Sequence, residues 1–257
     1  MTTHPDLGAL EPTAPNRSVP GVDFDHMLVS NRHGMYCLPT DFADREIGQL
    51  LVRGRVYEPE MLHFLCARAG TGDMVTGGAF IGDFLPALSQ AIAPDARIHT
   101  FEPHPVSFAA AQVTLRLNRC RNVALHPVAV GERASMLPLQ VARAGGEVQI
   151  AAGSRIVEAP RPHEETIDVP VMTIDSLVPA RRKVGLLHLD VEGFEAQALA
   201  GAQRVIGDDH PLVVLEADRQ TIRLSHLEML QTIAPDAQYR IAGVIEKNTI
   251  FVPVAGL

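Results

Sequence analysis

The stretch Val184–Val191, with the sequence VGLLHLDV, decides the fold, because it is apolar almost without interruption until it reaches Asp190. A continuous apolar run of this length is typical of a strand that is buried on both faces of a parallel sheet. Open α/β sheets bind their ligands at the edge formed by the carboxyl ends of such strands. The stretch therefore predicts a polar site where Asp190, Glu192 and Gly193 follow the strand.

Further strands and helices alternate on both sides of this stretch. The predicted strands are Asp73–Gly77, Arg97–Phe101, Val123–Val130, Leu212–Glu216, Gln238–Gly243 and Asn248–Pro253. The predicted helices are Glu60–Ala69, Asp83–Ala93 with Asp83 as its N-cap, Pro105–Arg119, Phe194–Ile206 and Thr221–Ile233. Alternation of this kind indicates βαβ units, so we expect an α/β fold with a doubly wound sheet, helices on both faces and an antiparallel last strand pair.

The chain divides into three parts by composition. Its 257 residues suit one large domain or two small ones. Residues 1–21 carry four prolines and little periodicity, which predicts a flexible tail, and residues 22–70 predict a small N-terminal cap with helical pieces. Residues 71–257 form the α/β domain. Within it, residues 143–167 have weak periodicity and exceed the usual loop length, so we expect a lid, with a disordered insertion as the alternative.

Charge and cysteine content exclude several classes of protein. With 22 Lys and Arg against 30 Asp and Glu, the net charge of −8 argues against a nucleic-acid partner. The cysteines Cys37, Cys66 and Cys120 form no CxxC pair and fit reduced thiols in the cytosol. No signal peptide and no apolar run of about 18 residues is present, so we expect no membrane partner and a cytoplasmic location. The oligomeric state is open.

A glycine-rich turn, TGGAFIGD at residues 76–83, follows the first predicted parallel strand. Gly78 and Gly82 allow a ligand to approach the backbone closely, and the helix that follows offers N–H groups and a positive dipole end. A pyrophosphate ligand favours G-x-G-x-x-G and a helix start without negative charge. Here Ala79 replaces the middle glycine, and Asp83 is acidic. A cofactor with cationic groups and no phosphate, S-adenosylmethionine, fits this turn better.

The next strand ends at an acidic residue, Glu102, twenty residues after Gly82. An acid at this point commonly accepts hydrogen bonds from ribose hydroxyls. The small residues Ala129 and Val130 end the following strand and suit packing against a flat base. The predicted cofactor-binding residues are Gly78, Ala79, Phe80, Gly82, Asp83, Glu102, Pro103, Ala129, Val130 and Asp190.

A series of motifs in chain order resembles the FkbM family of S-adenosylmethionine-dependent methyltransferases. They are FEPHP at 101–105, LN at 117–118, NV at 122–123, AVG at 129–131, MTIDSL at 172–177, LDVEGFE at 189–195, LAGA at 199–202, PLVVLE at 211–216 and NTIFVP at 248–253. The resemblance covers about residues 50–253. It implies a Rossmann-like class I methyltransferase fold, whose seven-stranded, mostly parallel sheet has a reversed last strand. It also implies O-methylation, typically of a hydroxyl on a sugar or a small natural product.

The chain departs from this family at three positions. The family usually has Asp at the start of the glycine turn, Asn before its Ile-Gly pair, and Lys two residues before the Asp of the LDVEG motif. This chain has Thr76, Phe80 and His188 there. Thr76 lacks the negative charge of that Asp, so the sequence does not identify the residue that contacts the methionine end of the cofactor. Asp83 is a candidate to replace part of the missing charge. Phe80 indicates a subgroup with its own pocket shape.

Three residues are candidates for catalysis, because a hydroxyl acceptor must lose its proton to a nearby base. Asp190 is the first candidate, and Glu192 is the second, since partial desolvation raises the pKa of a carboxyl group. His188 lies on the same strand face as Asp190 and is a candidate proton relay. The structural alternatives are a turn cap for Asp190, a core histidine for His188 and a helix start for the segment from Glu192 to Glu195.

Candidates for the remaining contacts are fewer. Ser154 and Arg155 in the predicted lid, and Glu216 at the end of a strand, are candidate acceptor contacts. Tyr57-Glu58 precedes the cap helix and is a candidate for the ammonium group of the cofactor, with a surface role as the alternative. Asp190 and Glu216 at neighbouring strand ends suit a Mg²⁺ ion, although no local metal motif supports one. We therefore predict no metal ligands and keep Mg²⁺ as a lesser alternative.

The sequence as a whole predicts an S-adenosylmethionine-dependent O-methyltransferase that acts on a hydroxyl of a small molecule or a sugar-containing acceptor. One alternative is a protein that binds S-adenosylmethionine or S-adenosylhomocysteine without catalysis, which Thr76 and Phe80 motivate. A nicotinamide-dependent oxidoreductase is a further alternative, which the missing G-x-G-x-x-G pattern disfavours.

Overall fold

A computed structural model describes residues 23–142, 154–157 and 165–254. Its strands are β1 (His26–Asn31), β2 (Gly34–Pro39), β3 (Asp73–Gly77), β4 (Ile98–Phe101), β5 (Val123–His126), β6 (Ala129–Val130), β7 (Ser135–Ala142), β8 (Arg155–Ile156), β9 (Glu165–Met172), β10 (Val184–Leu189), β11 (Leu212–Glu216), β12 (Arg240–Ile245) and β13 (Asn248–Val252). Its α-helices are α1 (Glu46–Val52), α2 (Pro59–Arg68), α3 (Leu85–Ala91), α4 (Pro105–Leu117), α5 (Ile174–Leu177), α6 (Glu195–Ala200), α7 (Gln203–Asp209) and α8 (Gln220–Ile233).

Seven strands form the central sheet, in the order β12-β13-β11-β10-β3-β4-β5. The strands from β11 to β5 run parallel, whereas β13 is antiparallel to both β11 and β12. The predicted seven-stranded, mostly parallel α/β sheet is confirmed. The order reverses between β10 and β3, and ligands of such sheets bind at that switch point, outside the carboxyl ends of the strands.

The core lies on both faces of β10, as the unbroken apolar run predicts. Leu187 and Leu189 pack with Val75, Phe101 and Val213 in one large cluster of buried side chains. Leu186 belongs to a second cluster, on the opposite face, that includes side chains of α2 and α3. Full burial of such a side chain contributes about 1.5–3 kcal/mol to folding. The strand ends that carry the polar residues are therefore rigidly placed.

The N-terminal cap begins with a β-hairpin, where the sequence led us to expect helical pieces. Strands β1 and β2 pair antiparallel, and the Asn31 side chain accepts a hydrogen bond from the His33 N–H in the turn between them. Such an Asx turn stabilises a tight reversal. The hairpin packs on α4, where Cys37 N–H donates to Thr114 Oγ1 at 3.2 Å. Helices α1 and α2 follow the hairpin.

Two predicted elements are divided in the structure. The predicted strand Val123–Val130 is interrupted by Pro127, which has no N–H to donate, and only β5 joins the central sheet. The predicted helix Phe194–Ile206 breaks at Gly201, where a Cβ atom would lie 2.0 Å from the carbonyl oxygen of Gly131. This close approach of two backbones separates α6 from α7.

A second sheet, in the order β6-β9-β7-β8, covers one side of the carboxyl edge. The long strands β7 and β9 pair antiparallel, and β8 pairs with β7 through Leu139 and Gln140. Of the predicted lid at 143–167, only residues 154–157 and 165–167 are described, and they take part in or border this sheet. The rest of that segment and the predicted tail at 1–21 lie outside the described residues. Within the described ranges, none of the helices has the length and apolar character that a bilayer crossing requires.

Candidate active site

A cleft of about 1060 Å³, counted to its open mouth, lies at the carboxyl ends of β3, β4 and β10. The predicted site residues that line it are Gly78, Ala79, Phe80, Asp83, Glu102, Pro103, Ala129, Val130, Ser154, His188, Asp190 and Glu192. The cleft is also lined by Ile47, Tyr57, Glu58, Thr76, Phe84, Leu85, Phe101, Val128, Leu139, Ile156, Val191 and Phe194. The fold thus brings together segments from the cap, both sheets and the glycine turn.

The glycine turn packs directly against the loop that carries Asp190. Gly78 has a φ of +77°, and a Cβ atom there would lie 2.0 Å from the carbonyl oxygen of Asp190. Gly82 has a φ of +82° and lies next to the side chains of Leu85 and Thr114, but Gly82 itself does not line the cleft. Gly78 is therefore required for the two loops to meet, and the predicted cofactor contact of Gly82 is not supported by its position.

Phe80 occupies a backbone conformation that is uncommon for an aromatic residue. Its φ of +46° lies in the left-handed region, which Gly and Asn adopt more easily. Its ring stacks on Phe42 of the cap, with the ring centroids 5.7 Å apart. Its N–H donates to Glu102 Oε2 at 2.7 Å. Packing against the cap and the hydrogen bond to Glu102 together hold this strained residue in place.

Glu102 binds the glycine turn from the end of β4. Its Oε2 accepts the N–H of Phe80, and its Oε1 accepts the N–H of His104 at 2.8 Å. Burial raises the pKa of Glu102 to about 8, although both hydrogen bonds favour the ionised form. Each carboxylate oxygen accepts more than one hydrogen bond. The carboxyl group therefore orders the loop and keeps capacity for a ligand hydroxyl.

The prediction that Asp83 caps the next helix is wrong. Helix α3 begins at Leu85, with Phe84 at the N-cap position and no side-chain cap. Residues 82–85 form a turn, in which Leu85 N–H donates to the carbonyl oxygen of Gly82, and this turn delays the helix by two residues. Desolvation raises the pKa of Asp83 to about 7. Hydrogen bonds from its own N–H and from that of Phe84 act in the opposite direction and lower it.

Thr76 and His188, two of the departures from the family pattern, face each other across β3 and β10. Thr76 Oγ1 and His188 Nδ1 lie 3.0 Å apart, and the two residues are paired in the sheet register. Burial lowers the pKa of His188 to about 4, so its imidazole is neutral near pH 7. Its ring stacks on Phe84, and its Nε2 has no hydrogen-bond partner within the described residues. A neutral pair therefore lines the cleft here.

Carboxyl groups converge at the end of β10. Asp190 follows Leu189, which pairs with Leu215, so Asp190 lies beside Glu216 of β11. The Asp190 carboxyl hydrogen-bonds that of Glu216, and burial together with the charges of Glu216, Glu192 and Glu58 raises its pKa well above the usual range. The pKa of Glu192 is also raised, first by desolvation and then by Glu216. Asp190 therefore holds a proton more tightly than an ordinary aspartate does.

Glu195 has the structural role that the sequence offered as an alternative to catalysis, namely the start of a helix. Helix α6 begins at this residue, and its carboxylate accepts hydrogen bonds from Val191 N–H at 3.1 Å and Gly193 N–H at 3.2 Å. These bonds fix the loop between β10 and α6. Glu195 thereby positions Asp190 and Glu192.

The three candidate acceptor contacts are placed differently. Ser154 lines the cleft, whereas Arg155 is exposed, lies outside the lining and donates from Nε to Gln140 Oε1 at 3.2 Å. Glu216 is also outside the lining and meets the cleft through Asp190. Only Ser154 is placed for direct contact.

The cap contributes Tyr57 and Glu58 to the lining of the cleft. For both residues, the sequence left a role on the protein surface as the alternative. Glu58 has a left-handed backbone, with φ 40° and ψ 59°, directly before Pro59 opens α2. Its Oε2 accepts a hydrogen bond from Asn248 Nδ2 at 3.3 Å. The signal in the sequence was an acid directly before the proline that opens a helix.

The chemistry of the lining fits a cationic nucleoside. Its described residues include five carboxyl side chains and neither Lys nor Arg: Glu58, Asp83, Glu102, Asp190 and Glu192. Such a set offers a pyrophosphate no cationic side chain, whereas the ammonium and sulfonium groups of S-adenosylmethionine would favour the ionised form of these carboxyl groups. In the part of the chain that the structure describes, no group of three His, Cys, Asp or Glu side chains is arranged to hold a metal ion.

Comparisons with known proteins agree with this geometry. The sequence of residues 77–241 matches the family described as the methyltransferase FkbM domain. The crystal structure of methyltransferase FkbM from Methylobacillus flagellatus KT aligns with a TM-score of 0.50 and 22% identity, over 70% of this chain and 43% of that one. The chain thus spans less than half the length of the Methylobacillus protein. No curated protein matches the sequence.

Two further solved structures give weaker alignments. The crystal structure of M. jannaschii TYW2 in complex with AdoMet aligns with a TM-score of 0.48 and 10% identity, over 90% of this chain and 88% of that one. A SAM-dependent methyltransferase from Aquifex aeolicus aligns with a TM-score of 0.42 and 11% identity, over 83% and 95%. The fold is that of the class I, S-adenosylmethionine-dependent methyltransferases. The chain belongs to the FkbM methyltransferase family.

Proposed function

We propose that this protein transfers a methyl group from S-adenosylmethionine to a hydroxyl of a small-molecule or sugar-containing acceptor. The observation that carries the proposal is the carboxyl-rich cleft, without Lys or Arg among its described lining, at the switch point of a methyltransferase fold. S-adenosylmethionine supplies an activated methyl group when it is bound. The protein's own residues then have to hold the nucleoside, orient the acceptor and take up a proton.

The nucleoside is proposed to lie across β3 and β4. Glu102, at the end of β4, would accept hydrogen bonds from the ribose hydroxyls while it holds the glycine turn through the N–H of Phe80. The apolar side chains of Val128, Ala129 and Val130 line the cleft beyond β4 and suit the flat face of an adenine. This placement directs the other end of the cofactor over β3 towards Asp190.

Asp190 is proposed as the general base. It lies at the centre of the carboxyl edge, and its raised pKa brings it nearer to that of a useful base at neutral pH. Glu216 lies beside Asp190, and Glu192 lines the cleft as a second candidate. His188 would contribute through its free Nε2 as a neutral hydrogen-bonding group.

The test is a methyl-transfer assay with S-adenosylmethionine that carries a labelled methyl group. Hydroxylated sugars, glycosides and small phenols serve as the acceptor panel, and both labelled product and S-adenosylhomocysteine are measured. We expect binding of S-adenosylmethionine by calorimetry and label in at least one acceptor. Absence of binding by both S-adenosylmethionine and S-adenosylhomocysteine would contradict the proposal. Binding of both without transfer to any acceptor would instead favour a non-catalytic binding protein, for which the neutral Thr76–His188 pair is the structural argument.

A further inference from the structure

Glu58 lines the cleft but belongs neither to the glycine turn nor to the loop that carries Asp190. It belongs to the cap, yet it lines the same cleft as Thr76, Asp83 and Asp190. Its non-glycine backbone is left-handed, and strained conformations of this kind persist only where the surroundings impose them. A proline disfavours this conformation in the residue before it, so Pro59 adds to the strain. The first turn of α2 holds Glu58 in place, since Leu62 N–H donates to its carbonyl oxygen at 3.0 Å.

The carboxylate of Glu58 is held in place by a residue of β13, which lies beyond β11 in the sheet. Asn248 at the start of β13 is 1% exposed, and its Nδ2 donates to Glu58 Oε2 at 3.3 Å. The Oδ1 of Asn248 is buried without a hydrogen-bond partner in the described residues. Asn248 also pairs with Glu216 in the register of β11 and β13. An acceptor group without a donor therefore lies beside a fixed carboxylate.

Three other acidic side chains of the cleft already have hydrogen-bond partners. Glu102 accepts the N–H groups of Phe80 and His104, and Asp83 accepts N–H groups of its own turn. Asp190 hydrogen-bonds Glu216. Thr76, which starts the glycine turn, carries no charge and is bonded to His188. Glu58 has a neutral amide and a tyrosine as hydrogen-bond partners, and the charge of Lys247 also acts on it.

The position of Glu58 matches the methionine end of the proposed cofactor. In the sheet order β10-β3-β4, a nucleoside whose diol lies on Glu102 of the β4 end extends over β3 towards β10. Glu58 is close enough to Asp83 on one side and to Asp190 on the other to raise the pKa of each. The carboxylate thus stands where the cofactor would place its amino acid part.

We infer that Glu58 binds the ammonium group of the methionine part of S-adenosylmethionine, with Asn248 holding the carboxylate in position. This inference rests on the proposed function, because it assigns one contact of the same cofactor. An ammonium group has three donors, which suits a carboxylate, whose two oxygens each accept more than one hydrogen bond.

The test compares two ligands that share the nucleoside and differ in the amino acid part. S-adenosylhomocysteine carries the ammonium group, whereas 5′-methylthioadenosine lacks it. Their affinities for the full-length wild type and for Glu58→Gln are measured by calorimetry. We expect Glu58→Gln to weaken S-adenosylhomocysteine about 10- to 100-fold, the range for a hydrogen bond to a charged group, and to leave 5′-methylthioadenosine within twofold of wild type.

The matched control is Glu60→Gln, which removes the same charge two residues later, on an exposed position of α2 outside the cleft. It should leave both affinities unchanged. An unchanged affinity of Glu58→Gln for S-adenosylhomocysteine would overturn the inference, and so would an equal loss for both ligands, which indicates a damaged nucleoside site. If wild type binds neither ligand, the proposed function itself fails, which separates the two outcomes.

Discussion

Asp73 and Asp190 lie at opposite ends of two adjacent parallel strands and show opposite electrostatics. Asp73 begins β3, is 2% exposed, and accepts hydrogen bonds from Arg97 N–H, from His99 Nε2 and from two nitrogens of Arg182. Burial alone would raise the pKa of Asp73, but these donors, Arg182 first, bring it below the usual value. Asp190 follows β10 among other carboxyl groups, and its pKa is raised.

The difference separates stability from function within one sheet. At the amino edge of the sheet, the negative charge of Asp73 is compensated by the donors that surround it, so the arrangement stabilises the fold. At the carboxyl edge, the acids face each other and an open cleft, so the arrangement costs stability and leaves groups free for a ligand. Functional sites commonly show this kind of local cost. The predictions below test whether the two ends behave in these opposite ways.

Asp190→Asn is expected to have the largest effect, on turnover. Loss of a general base typically slows a reaction about 10²- to 10⁴-fold. The free energy of unfolding should stay equal or rise, because the substitution removes a charge from an acidic cluster. Methyl transfer and urea unfolding measure the two quantities. Asp218→Asn, an exposed acid after β11, is the control and should alter neither. Wild-type turnover in Asp190→Asn would remove this residue from the mechanism.

Asp73→Asn should give the opposite result. Removing one partner of a buried ion pair costs about 3–5 kcal/mol, and we expect about 3 kcal/mol because the side chain of Arg182 is 26% exposed. Urea unfolding of the variant measures this loss. Asp95→Asn, an exposed acid whose backbone carbonyl also binds Arg182, should lose less than about 0.5 kcal/mol. Equal losses in both variants would show that the Asp73 network does not stabilise the sheet.

The same two residues should respond to pH with opposite signs. The folded-state pKa of Asp73 is lowered, so its stabilising contribution is present above the unfolded pKa of about 3.9 and is lost as pH falls through the folded value. The folded-state pKa of Asp190 is raised, so its ionisation costs stability as pH rises. The stability deficit of Asp73→Asn should therefore shrink in acid, while any gain of Asp190→Asn should grow with pH. If the stability differences of the two variants from wild type change with pH in the same direction, the contrast between the two residues is refuted.

Thr76→Val is expected to have the smallest effect. It keeps the shape of the side chain but leaves the buried Nδ1 of His188 without its partner, which costs about 1–2 kcal/mol in the free energy of unfolding. Thr232→Val removes an exposed hydroxyl that donates to the carbonyl oxygen of Glu228, and it should cost under about 0.5 kcal/mol. If the two variants lose the same stability in urea, the Thr76–His188 hydrogen bond does not contribute as described.

The sequence was a good guide to the fold where periodicity and composition acted locally. The apolar run of β10 predicted a strand buried on both faces, and the reversed last strand pair follows from the short connection before Asn248. The divisions at Pro127 and Gly201 were not predicted. Gly201 breaks a helix because it meets the carbonyl oxygen of Gly131, a contact seventy residues away in the chain, which no local pattern reveals.

The candidate site was predictable as a set of strand ends but not as a network. Asp190 and Glu102 could be placed at one edge because parallel strands share that edge. That Thr76 bonds His188, that Glu102 holds Phe80, and that Asn248 holds Glu58 depends on the register of strands and on the docking of the cap. The ligand roles of these residues remain predictions.

The measurement that tests the central claim most directly is a crystal structure with S-adenosylhomocysteine. The account predicts the ribose hydroxyls of the ligand within hydrogen-bonding distance of the Glu102 carboxylate, and its adenine against Ala129 and Val130. A ligand bound elsewhere, or a Glu102 carboxylate turned away from the ribose, would contradict it.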